Sequence, residues 1–339
     1  MEKILVVTNS MSGGGAERSM NSLVNLLHQN SVDVTIFPIN HGPMDAVMPV
    51  CKVISPVRAW KAGIFSTLIA FVKFRSQISK AYPSLVVANC ELPELFSVLL
   101  PLRMKLIFVE HTSRPWRKQR FLGSLVRKLA SLRKTQWVLV SDHLKEQGRD
   151  RNMSLVIPNL ISAVSNKLAE GHSVQSRIVF IGRLSEEKDP ELFLNIAQLC
   201  GMPGLIIGAG VMSEFLSSQS AASSIQIEFL GQLDNPWAKI HTNDIMVLTS
   251  QYEGDGLVLL EAVSRGLPVL VRDTVDFRRF GLPEKNYFAS AGDASEKLLG
   301  QDPTSLIIPS QVVHRILSSR SETSILSSWL ELINRITGP

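Results

Sequence analysis

Short runs of apolar, often β-branched residues alternate along the chain with longer segments whose apolar positions recur every three or four residues. The runs at 3–8 (KILVVT), 33–39 (DVTIFPI), 84–89 (SLVVAN), 105–111 (KLIFVEH) and 137–141 (WVLVS) read as strands. Between the first two, residues 17–30 place Met20, Leu23, Val24 and Leu27 on one face of a helix. After a polar stretch at 162–176 the rhythm restarts. Strand runs follow at 177–182, 205–208, 225–231, 244–250 and 268–273, with helix patterns such as 189–200 between them. An apolar run without alternation fits a strand covered on both faces, as in parallel sheets whose crossovers are helices. Two separated series predict an α/β protein with two Rossmann-like domains, 1–165 and 166–339. A last helical pattern at 321–336 opens with a capping-box candidate at Ser321 or Thr323. It either closes the second domain or packs back on the first.

Length supports the division, since 339 residues exceed what one core usually serves. A hydrophobic content of 45% with 19% charged residues excludes a disordered chain. Cys51, Cys90 and Cys200 are scattered and odd in number, matching neither a disulfide framework nor a CxxC metal site, so a reducing cytosol is expected. The opening MEKILVVTNS enters a strand at once, without the basic region and apolar core of a leader. The longest uncharged apolar stretch, between Lys61 and Lys73, is too short to span a bilayer. A cytoplasmic protein, soluble or peripheral at the inner face of a membrane, is expected.

Charge divides the chain in the same place. Residues 1–165 carry 21 Lys and Arg against 10 Asp and Glu, and residues 166–339 carry 14 against 20, so the net +5 is +11 beside −6. From Ala46 to Cys90 there is no acid but six Lys or Arg, and from His111 to Ser141 no acid but eight. The segment 120–134 sets Phe121, Leu122, Leu125, Val126, Leu129 and Leu132 at helical spacing, punctuated by Arg127, Lys128, Arg133 and Lys134. A basic amphipathic helix suits an anionic membrane surface, although part of its apolar face must serve the core. No nucleic-acid motif accompanies the charge, so nucleic acid is not expected as a partner.

In doubly wound folds ligands bind beyond the carboxyl ends of the strands, so the loops there hold the candidate chemistry. NSMSGGGAERS at 9–19 follows the first strand, and Gly14 and Gly15 would let backbone approach a ligand at a helix N-terminus. It is neither a GxGxxG fingerprint nor a P-loop. GRLSEEKDP at 182–190 carries Arg183 and Lys188, which could clamp a diphosphate or simply pair with Glu186 and Glu187. QYEGDG follows the strand at 244–250 and leads into the apolar helix LVLLEAVSRG. Glu261 sits about one turn into that helix among Leu259, Leu260, Ala262 and Val263, and so points into a site or a paired pocket.

In order and at familiar separations, GGGAERSMNSLVNLL, GRLSEEKDP, IPNL, GAG, LGQLDN and YEGDGLVLLEAVSRGLPV resemble the retaining nucleotide-sugar glycosyltransferases of family 4, over residues 1 to about 275. The most specific element is Glu253 and Glu261 in an E-x7-E pattern, combined with Arg183 and Lys188. The resemblance implies the GT-B fold, two Rossmann-like domains facing across a cleft. It implies that Gly14 and Gly15 line the cleft near the donor phosphate and acceptor, and that Arg183 and Lys188 hold the diphosphate. Glu253 would contact the transferred sugar, with Gly254, Asp255, Gly256 and Leu257 around sugar and phosphate. Glu261 would hold the ribose hydroxyls, and His111 would reach the donor sugar.

The same resemblance implies no cofactor, the nucleotide-sugar being a substrate, and a lipid-linked glycan acceptor of the O-antigen or capsule type. No DxD triplet or His/Cys cluster is present, which disfavours a metal-dependent transferase of the other common fold. One segment departs from the pattern. Where relatives show a Gly-containing loop and a further Glu, this chain has VRDTVDFRRFGLPEKNYFAS at 271–290. A nucleotide-sugar 2-epimerase of the same fold and a non-catalytic partner subunit are the rival readings.

Overall fold

The structure, a computed structural model, describes residues 3–11, 14–41, 51–59, 63–112, 115–117, 119–146, 153–161, 168–169, 176–222 and 225–338. The expected linker at 162–176 falls largely outside them. The chain forms two compact units, Met1–Leu160 with Arg320–Pro339, and Ile161–Ser319.

In the first unit the order is β1 (Lys3–Thr8), α1 (Gly15–Gln29), β2 (Asp33–Pro38), β3 (Lys52–Val53), α2 (Ile64–Ala81), β4 (Leu85–Asn89) and α3 (Glu91–Val98). β5 (Lys105–Glu110), α4 (Arg120–Leu132), β6 (Gln136–Leu139), α5 (His143–Glu146) and β7 (Ser154–Val156) follow. The second unit runs β8 (Ile178–Ile181), α6 (Pro190–Cys200), β9 (Gly204–Ile207), α7 (Ser213–Ala221), β10 (Ile227–Phe229) and β11 (Ile245–Leu248). It continues α8 (Leu257–Ser264), β12 (Val269–Arg272), α9 (Val275–Arg278), β13 (Tyr287–Phe288), α10 (Ala291–Leu299) and α11 (Ser310–Leu317). The chain's last helix, α12 (Glu322–Thr337), belongs to the first unit.

Both sheets are parallel, ordered β3-β2-β1-β4-β5-β6-β7 and β10-β9-β8-β11-β12-β13. Each sheet is packed on both sides, which is why its strands read as unbroken apolar runs. In β1, Ile4 and Val6 enter one core while Leu5 and Val7 enter the other. In β11, Met246 and Leu248 face one way and Ile245 and Val247 the other. The direction of strand order reverses between β1 and β4, and between β8 and β11. At such a switch point neighbouring strands send their connections to opposite faces and leave an opening between their carboxyl-end loops.

Ile325, Trp329, Leu332 and Ile333 of α12 are buried in the core that contains Met20, Leu23 and Val24 of α1. Ser321 caps α12 by accepting from the backbone N–H of Ser324 at 3.3 Å. The expected capping box is incomplete, because Ser324 stands where a Glu or Gln would return the bond.

α2 was not evident as a helix in the sequence, and it has two apolar stripes. Ala70, Phe74 and Ile78 point into the core, where Phe74 meets Phe96 of α3 at 5.3 Å between ring centroids. Phe65, Leu68, Ile69 and Val72, at i, i+3, i+4 and i+7, are exposed by 84, 59, 59 and 67%. In α4 the core takes Gly123, Val126 and Ala130 and leaves Phe121, Leu125 and Leu132 outside. No helix among the described residues is long and apolar enough to cross a membrane.

Candidate functional site

The switch point of the second sheet brings together the loops after β8 and β11, although they lie far apart in sequence. Four bonds strap one to the other. Thr249 Oγ1 donates to the carbonyl of Lys188 at 2.8 Å, and Gln251 N–H to that of Glu187 at 2.9 Å. Gln251 Nε2 donates to the carbonyl of Glu186 at 3.2 Å, and Tyr252 O–H to Glu187 Oε2 at 3.4 Å. The β8 loop is also backed by the loop after β9. An added Cβ at Gly208 would stand 1.8 Å from the carbonyl oxygen of Gly182, and one at Gly210 would stand 2.1 Å from that of Leu184. Only glycine lets these two loops lie so close.

Across this strapped rim Lys188 Nζ donates to Glu253 Oε1 at 2.6 Å. Ser250 Oγ donates to the same oxygen at 2.8 Å, and Asp276 Oδ2 accepts from the Glu253 backbone N–H at 2.6 Å. The Glu253 side chain is 12% exposed and that of Lys188 25%, so the pair sits just below the surface. Arg183 stands further out at 59% exposure, with Nη1 3.6 Å from Glu187 Oε1. One of the two cations expected to act as a phosphate clamp is therefore bound to the carboxylate expected to meet the sugar, and the other is loosely paired.

A second brace lies beneath. Asp189 caps α6 by accepting from the Leu192 N–H at 3.3 Å, while its other oxygen accepts from Arg272 Nη1 at 2.8 Å. Arg272 also donates to the carbonyl of Thr249 at 3.2 Å.

Gly256 opens α8 in the left-handed region, with φ +66, and Phe280 sits 3.1 Å from where its Cβ would stand. Asp255 is buried, and Gly254 and Leu257 are half-buried. Glu261 Oε2 accepts from the indole N–H of Trp237 at 3.2 Å. Arg265 donates to the Glu261 carbonyl at 2.7 Å and stacks on the Trp237 ring, 4.3 Å from its centroid. The paired pocket expected for Glu261 thus contains an indole donor as well as a nearby guanidinium.

In the first unit Gly14 caps α1 through backbone alone, and Gly15 is the first helical residue. Asn89, fully buried at the end of β4, donates from Nδ2 to the carbonyl of Ala16 at 3.4 Å and ties that helix start to the sheet. His111 follows β5 directly and is half-buried. Just before it, Glu110 has a side chain only 1% exposed and accepts from Arg127 Nη2 of α4 at 2.9 Å. Arg127, 33% exposed, is therefore committed to Glu110. Arg133 is likewise spent on the carbonyls of Val98, Leu100, Pro101 and Met104.

Glu94 of α3 is buried and accepts from Trp116 Nε1 at 3.0 Å. Burial and the nearby Glu110 charge push its carboxyl up to about 8, so it holds its proton at neutral pH.

The structure thus gathers Arg183, Lys188, Glu253, Gly254, Asp255, Gly256 and Leu257 on one rim of the second sheet, while Glu261, further into α8, is paired with Trp237. It places Gly14, Gly15 and His111 at the carboxyl ends of strands in the first. Sequence reasoning missed Ser250, Asp276, Trp237 and Arg272. Asp276 lies in the segment that departs from the family pattern, so that departure supplies the acceptor holding the Glu253 backbone.

Two doubly wound parallel units in one chain, with glycine-rich and charged loops at the switch points, define the GT-B class of glycosyltransferase fold. Residues 13–163 match the model described as Glycosyltransferase Family 4, and residues 169–289 that of Glycosyl transferases group 1. The chain belongs to the family 4 glycosyltransferases. It resembles the O-antigen biosynthesis glycosyltransferase WbnH of Escherichia coli, 31% identical over 128 residues, which is 36% of this chain and 37% of that protein. That match spans well under half of the relative's length. A Campylobacter jejuni N-acetyl-D-galactosaminyltransferase, named for a PP-undecaprenol-linked acceptor glycan, is 22% identical over 277 residues, 78% of this chain and 77% of its own. Among solved structures, Anabaena HepE in complex with UDP and glucose superposes with a TM-score of 0.80 at 16% identity, covering 98% of this chain and 99% of that one.

Proposed function

We propose that the chain is a retaining glycosyltransferase that moves a hexose or N-acetylhexosamine from a nucleotide-sugar, preferably a UDP-sugar and secondarily a GDP-sugar, to a lipid-linked glycan. The observation that carries this reading is the Lys188–Glu253 pair on the strapped rim at the N-terminus of α8. Transfer requires a departing diphosphate to be stabilised and a cationic sugar to be held. Lys188, Arg183 and the α8 N–H groups meet the first need electrostatically. Both described bonds to the Glu253 carboxylate fall on Oε1. We assign Oε2 to a sugar hydroxyl, Glu261 to the ribose hydroxyls, and the backbone of Gly254, Asp255, Gly256 and Leu257 to sugar and phosphate. Gly14, Gly15 and His111 are assigned to the donor and acceptor from the first unit. In same-face transfer Glu253 orients the sugar and need not become covalently attached, and no step calls for a metal.

The lipid-linked acceptor and the membrane surface rest on separate support. The exposed α2 stripe stands beside Lys73, Arg75 and Lys80, with no acid in the helix, and α4 adds Phe121, Leu125 and Leu132. Apolar groups flanked by cations suit an anionic leaflet. The names of the Campylobacter and Escherichia relatives point to undecaprenol-linked and O-antigen glycans. The test is a matrix of UDP- and GDP-sugars against lipid-linked acceptors, read by product mass with and without EDTA. Transfer that survives EDTA is expected. Strict metal dependence would contradict the mechanism, and absence of nucleotide-sugar binding would favour a partner subunit.

A further inference from the structure

Between β10 and β11 the chain makes a single 3-10 turn, Pro236–Lys239, with the proline in its first position. Trp237 in that turn is 2% exposed and belongs to the core that contains Leu260, Val263 and Leu267. Burial satisfies the ring but leaves the indole N–H in need of an acceptor. Glu261 Oε2 is that acceptor, at 3.2 Å. Neither partner moves without cost, because a Trp237 that let go would bury an unpaired donor.

Arg265 closes the arrangement. Its guanidinium lies 4.3 Å from the centroid of the Trp237 ring, and its Nη1 donates to the Glu261 carbonyl at 2.7 Å. That carbonyl also accepts from Ser264 Oγ at 2.9 Å. It belongs to the last turn of α8, where helix carbonyls turn to side chains for partners. Glu261 is therefore held at its side chain by Trp237 and at its backbone by Ser264 and Arg265, and Arg265 also covers the indole. A carboxylate accepts about four hydrogen bonds, so one indole donor sets its plane without exhausting it.

We infer that Trp237 is a positioning residue for nucleotide recognition, which orients the Glu261 carboxylate for the ribose while Arg265 holds the indole in place. This rests on the reading of Glu261 as the acceptor of the ribose hydroxyls. An acceptor whose rotamer is locked by packing meets those hydroxyls already oriented, and a loose one must be ordered on binding. The ribose lies away from the bond that breaks, so the gain is shared by bound donor and transition state.

Two variants of the full chain test this by calorimetry with UDP and 2′,3′-dideoxy-UDP, or the guanine pair if the wild type binds GDP instead. Trp237→Phe keeps a ring and removes the donor. Arg265→Met keeps an apolar stem on the ring and removes the cation from a half-buried position. The wild type should prefer UDP by about 10- to 100-fold, since the dideoxy form lacks both hydroxyls. Trp237→Phe should weaken UDP by about 5-fold but the dideoxy form by about 2-fold or less, because the two losses fall on one carboxylate and do not add. Arg265→Met should lower the preference in the same direction by about 2-fold. In transfer assays Trp237→Phe should raise the donor KM by about 5-fold with a much smaller change in kcat, the mark of lost uniform binding. Partial misfolding would instead lower the binding stoichiometry and the apparent kcat, leaving the preference as it was. A UDP preference equal to that of the wild type in both variants would overturn the inference. Equal binding of UDP and its dideoxy form by the wild type would overturn the ribose reading of Glu261 and the inference with it.

Discussion

The two units put charge to opposite uses on the same kind of scaffold. At the second sheet's switch point, Lys188 pairs with Glu253 across loops and Arg183 with Glu187 within one, near the surface, where a charged ligand can compete for them. At the carboxyl ends of the first sheet, Glu94 and Glu110 are buried and help shape loops, while its outer helices expose Phe65, Leu68, Ile69, Phe121 and Leu132. The net charges of −6 and +11 on the two halves thus conceal the more useful distinction, which lies in where each charge is held. A shallow, mutually paired set suits a small anionic donor. Buried carboxylates beneath an apolar and basic exterior suit a rigid support for a larger, amphiphilic acceptor.

The most severe break should come from Glu253→Ala. With Glu253 assigned to the sugar, loss of this preorganised polar group is expected to lower kcat by about 100- to 1000-fold. UDP affinity, measured by calorimetry, should stay close to wild type. Lys188→Ala should weaken both, by on the order of 10–100-fold in UDP affinity, because it removes the cation assigned to the diphosphate and leaves Glu253 without that partner.

On the other unit, Leu68→Ser combined with Ile69→Ser should lower binding to phosphatidylglycerol vesicles by about 10-fold, with nucleotide binding untouched. Equal vesicle binding by this variant would remove α2 from the membrane surface. Asp276→Asn exchanges a charge-assisted acceptor for a neutral one at the Glu253 N–H and should reduce kcat by about 5-fold. The smallest effect concerns stability. Folded Glu94 holds its proton more tightly than the unfolded chain, so its contribution is full below its ordinary value of 4.5 and is lost as pH rises through about 8. Urea midpoints at about pH 6 and about pH 9 should differ more for wild type than for Glu94→Gln.

Strands such as β1, β4 and β11 were legible because burial on both faces leaves an unbroken apolar run. β3, β7 and β13 were not, since two or three residues carry no period. α3 is hidden by Pro93 in its first turn, a place where proline costs no helix bond. α2 is hidden because apolar residues occupy both its inner and outer faces. At the candidate site, glycine spacing and isolated charges drew attention to Arg183, Lys188, Glu253 and Glu261. Their partners were beyond local reading. Lys188 meets Glu253 across 65 positions only because β8 and β11 adjoin at a switch point. Trp237 reaches Glu261 from a short 3-10 turn with no periodic signature.

The central claim is that the charged rim of the second unit is a nucleotide-sugar site. Incubation of the wild-type chain with individual UDP- and GDP-sugars and a polyprenyl-diphosphate-linked acceptor, followed by mass spectrometry of both products, tests it most directly. The account predicts one sugar added to the acceptor and one nucleoside diphosphate released per turnover, with both products formed about 100- to 1000-fold more slowly by Glu253→Ala. Full turnover by Glu253→Ala, or failure of the wild type to bind any nucleotide-sugar, would contradict it.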